Sequence, residues 1–571
     1  MSLRRRKYVL LYNLTFPKDG VCDVCELYFR GGEQRKNGVF LSDGNTVTFD
    51  TYFNSFSHVK YKKYTNVRTV TLRLSLVGSG TVQVLRYISD DERELLVRKR
   101  VSGDCELTFD ISNIPDKGFI YFSFTADGDC MLNGGSWTSD VQKRHIKLGI
   151  VICTYKREDY LRRNIAHMQE YARSLDERFF DVFVVDNART VTDDFGEGFT
   201  VIPNDNTGGS GGFTRGIKEV YSRGYTHFLL MDDDILFDVN ILQRTAAMLA
   251  ALKDEYKTAS IGGAMLVLDC PYLQKELGAD WEDNLISSRR HRLDARNAST
   301  ICGNEEDIEP NYNGWFYMCM PTSSVEKYGY PLPFFIRCDD IEYSLRAAEH
   351  IIVTSGIAVW HESFDNKYSP EMEYYIKRNE LILSSRYPNG TGFFANWKKL
   401  FLGIGKTLLL QRYFAADLRF KAYDDFLKGA DYFLNLDSGA NHMELRKYCP
   451  RFLTKEEIKT EYGIEINDNP PTSLTDWGAK DVVSLVEYFI PKCFFKKDIA
   501  VVDMTRYRIS DFFMKKKVLH YNPLSGKGFV TEIKKSAIFK YSFKAFGYFF
   551  KMLFNYRRVA KEFAAIDTKT L

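Results

Sequence analysis

A chain of 571 residues is too long for one ordinary core and predicts two to four domains. Its 44% hydrophobic and 27% charged content is that of a globular protein, and a net charge of only +3 gives no argument for nucleic acid as a partner. The 15% aromatic content suits sugar faces and membrane interfaces alike and decides nothing alone.

Eleven cysteines include one close pair, Cys22 and Cys25, with no second pair at zinc-site spacing. Reduced thiols in the cytosol are therefore expected. The start, MSLRRRKYVLLYNLTF, is basic, but its apolar segment is short and no small-residue cleavage site follows, which argues against export. No stretch approaches the roughly 20 apolar residues that span a bilayer.

Residues 1–146 read as β structure. In TVTLRLSLVGSGTVQVLRY, Val70, Leu72, Leu74 and Leu76 alternate, Gly78-Ser79-Gly80 marks a turn, and Val82 and Val84 resume. That predicts a hairpin with one buried face. ELTFDIS and FIYFSFTA continue the alternation, and a small β-sandwich is the natural product. From 147 to 390, buried-strand runs such as KLGIVICTYKR, FFDVFVVDNA and THFLLMDDDI alternate with helical stretches. They predict an α/β domain whose mostly parallel sheet has helices on both faces. From 391 to 571 the chain reads as helical, aromatic and basic. Phe539, Phe543, Phe546, Phe550 and Leu553 fall on one helical stripe with lysines around it.

Ligands of such sheets bind beyond the carboxyl ends of the strands. Thr154 to Arg157, Asp186-Asn187, the glycine-rich NTGGSGGFTRG and Asp232 to Asp234 all fall there. Asp232 and Asp234 project to one side of an extended backbone, with Asp233 turned away, and a hard divalent cation takes such oxygen ligands. An exposed acidic turn is the alternative. The glycine loop permits close backbone approach at Gly208, Gly209, Gly211 and Gly212 and offers N–H groups to an anion, with Arg215 on the first helical turn. It matches neither the phosphate-loop pattern nor GxGxxG. Asp339 and Asp340, in FFIRCDDIEYSLRAAEH, are either helix caps or a like-charged pair suited to general-base work. His361 and Trp315 each carry a structural reading beside a functional one, metal ligation and sugar stacking respectively.

Taken in order, CTYKR, VVDN, NTGGSGGFTRG, MDDDI, NGWFY, FIRCDDIEYSLRAAE and WHESF resemble the motifs of family-2 inverting glycosyltransferases with a GT-A fold. More narrowly, they resemble the polymerising UDP-galactofuranosyltransferases of mycobacterial galactan synthesis. The N-terminal β-sandwich, with its TYFNSF, and the helical C-terminal region resemble that subfamily's architecture. The resemblance implies transfer of galactofuranose from UDP-galactofuranose to a growing cell-envelope glycan or glycolipid acceptor. It implies Mn²⁺ or Mg²⁺ on Asp232, Asp234 and His361, with Arg157 and Asp186 near the uridine. Asn206, Gly208 and Gly209 fall on the donor side, where Arg215, Asp233 and Trp315 are also placed. Asp340 becomes the general base, and Asp339 orients the acceptor or sugar hydroxyls.

Inverting transfer is a single displacement, needing one base and a positive centre for the departing diphosphate but no second, nucleophilic carboxylate. Cys338 stands where the subfamily has a tryptophan, and the tail diverges, so the acceptor surface and a homo-oligomer stay open. Acceptors of this kind imply a cytoplasmic enzyme peripheral to the inner face of the cell membrane, where the basic aromatic helix suits anionic headgroups. An ordinary packed helix is the alternative. Two other functions remain: transfer of a different nucleotide-activated sugar, and non-catalytic glycan binding, against which the intact DDD, DD and WH set speaks.

Overall fold

The computed structural model describes residues 9–36, 38–306, 309–362, 368–387, 391–466, 483–496 and 498–571. The basic residues that open the chain and Ser363-Phe364 of WHESF lie outside them.

Two 21-residue strands, β1 (Thr69–Ser89) and β4 (Phe119–Ser139), pair antiparallel and form the spine of an eight-stranded sheet. β2 (Glu92–Ser102) and β3 (Cys105–Asp110) flank β1. The hairpin expected at Gly78–Gly80 is absent, because β1 runs through these residues with bulges between Ser75 and Leu76 and between Val77 and Ser79. Gly78 has φ +111°, and a side chain there would strike Cys130. The glycines mark a bend inside one strand.

Phe56 shows what the bend achieves. Its backbone bridges Ile120, while its ring stacks 5.1 Å from that of Trp137. Fully extended, β4 would hold Ile120 and Trp137 roughly 55 Å apart. The sheet therefore doubles over into a two-layer sandwich, with Val70, Leu72, Val82, Val84 and Trp137 buried inside.

The second sheet has nine strands. β5 (Leu148–Thr154), β6 (Phe180–Asp186), β7 (Phe199–Pro203) and β8 (His227–Asp232) pair in parallel, in the order β7-β6-β5-β8. The crossovers carry α1 (Glu158–Ser174) and α2 (Gly208–Ser222). β5, β6 and β8 are almost wholly buried, which is why their sequences show apolar runs without alternation. Beyond β8 the sheet is mixed rather than mostly parallel. β9 (Ser260–Val267) and β10 (Tyr317–Pro321) pair antiparallel, as do β10 and β8. After α3 (Asp339–Ala347), β11 (Ile351–His361) pairs parallel to β9. Sandwich and α/β unit share one continuous core, in which Phe53 packs 5.4 Å from Trp360.

α4 (Met372–Arg386), α5 (Phe393–Leu409), α6 (Tyr413–Leu427) and the 28-residue α7 (Ala537–Ala564) form a helical region with its own core. This region is not purely helical. Leu453–Thr454, Ala500–Asp503, Lys517–Asn522 and Lys527–Glu532 make a four-stranded sheet. Its strands are too short for their alternation to stand out against the aromatic and basic residues around them. α7 buries Tyr541, Ala545, Tyr548, Met552 and Val559, whereas Phe539, Phe543, Phe546, Phe550 and Leu553 remain exposed. The lysines do not all flank that stripe: Lys551 pairs with Asp424 at 3.1 Å and Lys535 donates to the Glu487 carbonyl. No described helix is long and apolar enough to cross a membrane, and all eleven cysteines are free.

Candidate active site

Parallel register sets Thr154 beside Asp186 and Cys153 beside Asp232, so the ends of β5, β6 and β8 share one edge. Just past the acidic triplet, Leu236 and Trp360 exchange backbone hydrogen bonds, each 2.8 Å long. That bridge lays the loop after β8 alongside the end of β11 and brings His361 to the aspartates. His361 Nε2 stands 3.5 Å from Asp232 Oδ2 and 3.3 Å from Asp234 Oδ1, and one ligand atom from each of the three residues lies within 4.8 Å of the others. On the far side of the ring, Nδ1 is 2.6 Å from the Glu362 carbonyl. A carbonyl only accepts, so Nδ1 carries a hydrogen and Nε2 is the ring nitrogen that faces the two carboxylates. Such a donor set fits a divalent cation and repels itself without one. Burial pushes the Asp232 carboxyl up to about 6, and its aspartate neighbours add to this against the pull of His361.

Asp233 faces inward. It is 4% exposed and accepts from the Thr154 hydroxyl at 2.7 Å and from Arg157 at 3.1 Å. Arg157 also reaches Asp234 at 2.6 Å. Asn164 holds the Asp233 and Ile235 carbonyls at 3.0 Å each. The middle carboxylate thus ties β5 and Arg157 to the loop after β8.

The four glycines are not a loop. Gly208 to Gly212 form the opening turns of α2. Gly208 has φ +72°, and a Cβ there would lie 2.1 Å from the Phe335 carbonyl oxygen. The missing side chain lets the helix start dock on the segment before α3, where Ser210 donates its N–H to Phe335 and its hydroxyl to Leu332. A Cβ on Gly209 would lie 4.0 Å from Asp339 Oδ2 and from the Phe335 carbonyl oxygen, and Asn206 accepts the Gly208 N–H at 3.2 Å. Arg215 is consequently about two turns into the helix rather than on its first turn. It bonds Glu219 at 2.9 Å.

Asp339 and Asp340 open α3 after a strained approach. Phe335, Arg337 and Cys338 all have positive φ (73°, 70° and 67°), a conformation costing about 1–3 kcal/mol each. Two neighbours from α4 hold it: Asn379 donates to the Ile336 and Arg337 carbonyls at 3.0 and 2.8 Å, and Arg378 to that of Phe334 at 2.7 Å. Burial, then the partner's charge, pushes Asp339 up to about 8. Burial also pushes Asp340 up to about 6, opposed by the Ile341 N–H and by Arg337. Asn379→Ala is expected to lower stability by about 1–3 kcal/mol in urea unfolding.

Asp186 is 1% exposed, with its oxygens accepting the N–H groups of Ala188 and Val191 at 2.9 and 2.7 Å. It shapes the loop after β6. Trp315 packs edge-on to Phe213 at 5.3 Å, as a core residue does, yet its indole N–H finds no acceptor among the described residues. Asn164, Arg378 and Asn379 support the site without belonging to any motif, and Thr154 does so from within CTYKR.

Residues 149–304 match the model of glycosyl transferase family 2, and residues 11–140 match that of the galactofuranosyltransferase 2 N-terminal domain. The chain is a glycosyltransferase. Two relatives are named galactofuranosyltransferase GlfT2. The one from Mycolicibacterium smegmatis is 25% identical over 477 residues, covering 75% of this glycosyltransferase and 72% of the relative. The one from Mycobacterium tuberculosis is 26% identical over 478 residues, with 75% and 74% covered. Among solved structures, residues 1–349 of S. aureus TarS match at 17% identity, 41% of this chain and 64% of that one, with a TM-score of 0.27.

Proposed function

We propose that this glycosyltransferase transfers galactofuranose, with inversion, from UDP-galactofuranose to a growing cell-envelope glycan, using a divalent ion, Mn²⁺ or Mg²⁺. The reading rests on one juxtaposition: the start of α2 lies between the two groups, with the Gly208 carbonyl 4.0 Å from Sγ of Cys153, the residue beside Asp232 of the donor set, and with a Cβ on Gly209 falling 4.0 Å from Asp339. The sugar is taken from the names of the two relatives. A bound ion would neutralise the diphosphate as it leaves. Asp340 takes the acceptor proton, and Asp339, beside the start of α2, orients hydroxyls. Arg157, Asn206, Gly208, Gly209 and the free indole N–H of Trp315 serve the donor, with Asp186 and Asp233 holding the loops around it. Residues 1–146, 147–390 and 391–571 are assigned as sandwich, catalytic unit and C-terminal region. A panel of UDP- and dTDP-sugars with measured nucleotide release tests the donor; turnover of only another sugar would replace the galactofuranose assignment.

The exposed phenylalanines of α7 favour peripheral attachment to an anionic, cytoplasm-facing membrane surface. Deleting the helix would remove Tyr541, Tyr548 and Met552 from the core, so substitution is the cleaner test. Phe543→Ser with Phe550→Ser should leave the melting temperature within about 2 °C and abolish sedimentation with anionic vesicles. Unchanged sedimentation would refute the attachment.

A further inference from the structure

Far along the chain from the acidic triplet, a cavity of about 250 Å³ lies among α4, the end of α5, the start of α6 and the segment around Met504. Three cations, Lys406, Arg412 and Arg419, line it with a single carboxylate, Glu373, and with Tyr368 and Tyr507. Arg419 is spoken for, since it pairs with Glu373 at 2.7 Å.

Arg412 is different. It is 4% exposed and fixed in place, with Nη2 donating to the Met504 carbonyl at 2.7 Å and Nε to His520 Nδ1 at 3.3 Å. The rings of Tyr368 and Tyr507 lie 4.8 and 5.3 Å from its guanidinium carbon. His520 supplies no charge, because burial and Arg412 itself hold its pKa well below the usual range. Among the described residues no carboxylate is within ion-pair distance of Arg412; Glu373, already paired with Arg419, acts on it only across the cavity, which leaves this buried charge short of counter-ion. The Tyr368 hydroxyl is likewise buried without a partner among those residues. Arg412 also stands at the N-cap position of α6 without a side-chain cap, and the dipole at that helix start favours an anion.

We propose that this cavity binds a phosphoryl group, as free phosphate or diphosphate or as the phosphate end of a lipid. Guanidinium groups and a helix start recognise phosphate by charge-assisted hydrogen bonds. The volume falls below the roughly 300–1,000 Å³ of sites for larger small molecules, which leaves no room for a whole nucleotide sugar. None of its lining residues is among those assigned to the donor, so the inference does not depend on the proposed sugar.

Calorimetry on the full chain in EDTA, which denies the acidic triplet its cation, tests it with two probes: pyrophosphate and farnesyl diphosphate. Saturable binding is expected, weakened by about tenfold or more in Arg412→Gln, as the loss of a charge-assisted bond implies, and weakened to a smaller extent in Tyr368→Phe, which removes the buried hydroxyl. If Arg412→Gln does not fold, Tyr368→Phe decides. Equal affinity for the probes assigns the site to the free anion, and tighter farnesyl diphosphate to a lipid-borne group. Binding of neither probe, or unchanged binding in every variant that keeps the parent's circular dichroism, overturns the proposal.

Discussion

Asparagine in place of Asp340 is expected to lower kcat by about 10²–10⁴-fold, the usual worth of a general base, while UDP binding is retained. The amide oxygen can still accept the Ile341 N–H that Asp340 accepts at 2.8 Å, so α3 keeps its start. What is lost is the ability to take a proton. The same assignment fixes a pH dependence. Asp340 must be ionised to act, and burial raises its carboxyl to about 6, so kcat should rise with pH through that value. Stability runs the other way. The folded state holds protons on Asp339 and Asp340 that the unfolded chain releases near pH 4. Their contribution is complete below that pH and is lost as pH rises through about 6 and 8. Near-normal turnover in Asp340→Asn, or a kcat that falls between pH 5 and 7, would remove Asp340 from the role.

His361→Ala should abolish the stabilisation that a divalent ion gives. At an ion concentration of about 100 Kd the parent gains roughly 2.7 kcal/mol, read as a rise in Tm, and the variant gains none. UDP affinity should also stop responding to the ion. His361 is the more diagnostic ligand to remove, because Asp234 also holds Arg157 and its loss disturbs two groups together. Ion and protons compete for the same carboxylates, so the parent's gain should be larger at pH 8 than at pH 5. An equal gain in His361→Ala would show that the ion binds elsewhere.

Chain order and apolar runs made the α/β unit legible, since β5, β6 and β8 are buried strands and their carboxyl ends meet. The β9 and β10 half of the sheet was not, because NGWFYMCMP carries no period that separates a buried strand from an aromatic patch. Gly78 and Gly80 misled for a related reason: a glycine that ends a strand and one that bends it look alike in sequence. Within the site, spacing sufficed to turn Asp233 away from Asp232 and Asp234. It could not show that Asp233 braces Arg157, or that Arg215 is carried off once Gly208 to Gly212 become helix. The supports from α4 were invisible, as Arg378 and Asn379 act through backbone carbonyls about 40 residues away.

The most direct test is a transfer assay with purified chain, Mn²⁺, UDP-galactofuranose and a short galactofuranose-containing acceptor, with NMR of the product. The account predicts one UDP released per galactofuranose added, an anomeric configuration opposite to that of the donor, and no reaction in EDTA. Retention of configuration, or undiminished transfer in EDTA, would contradict it.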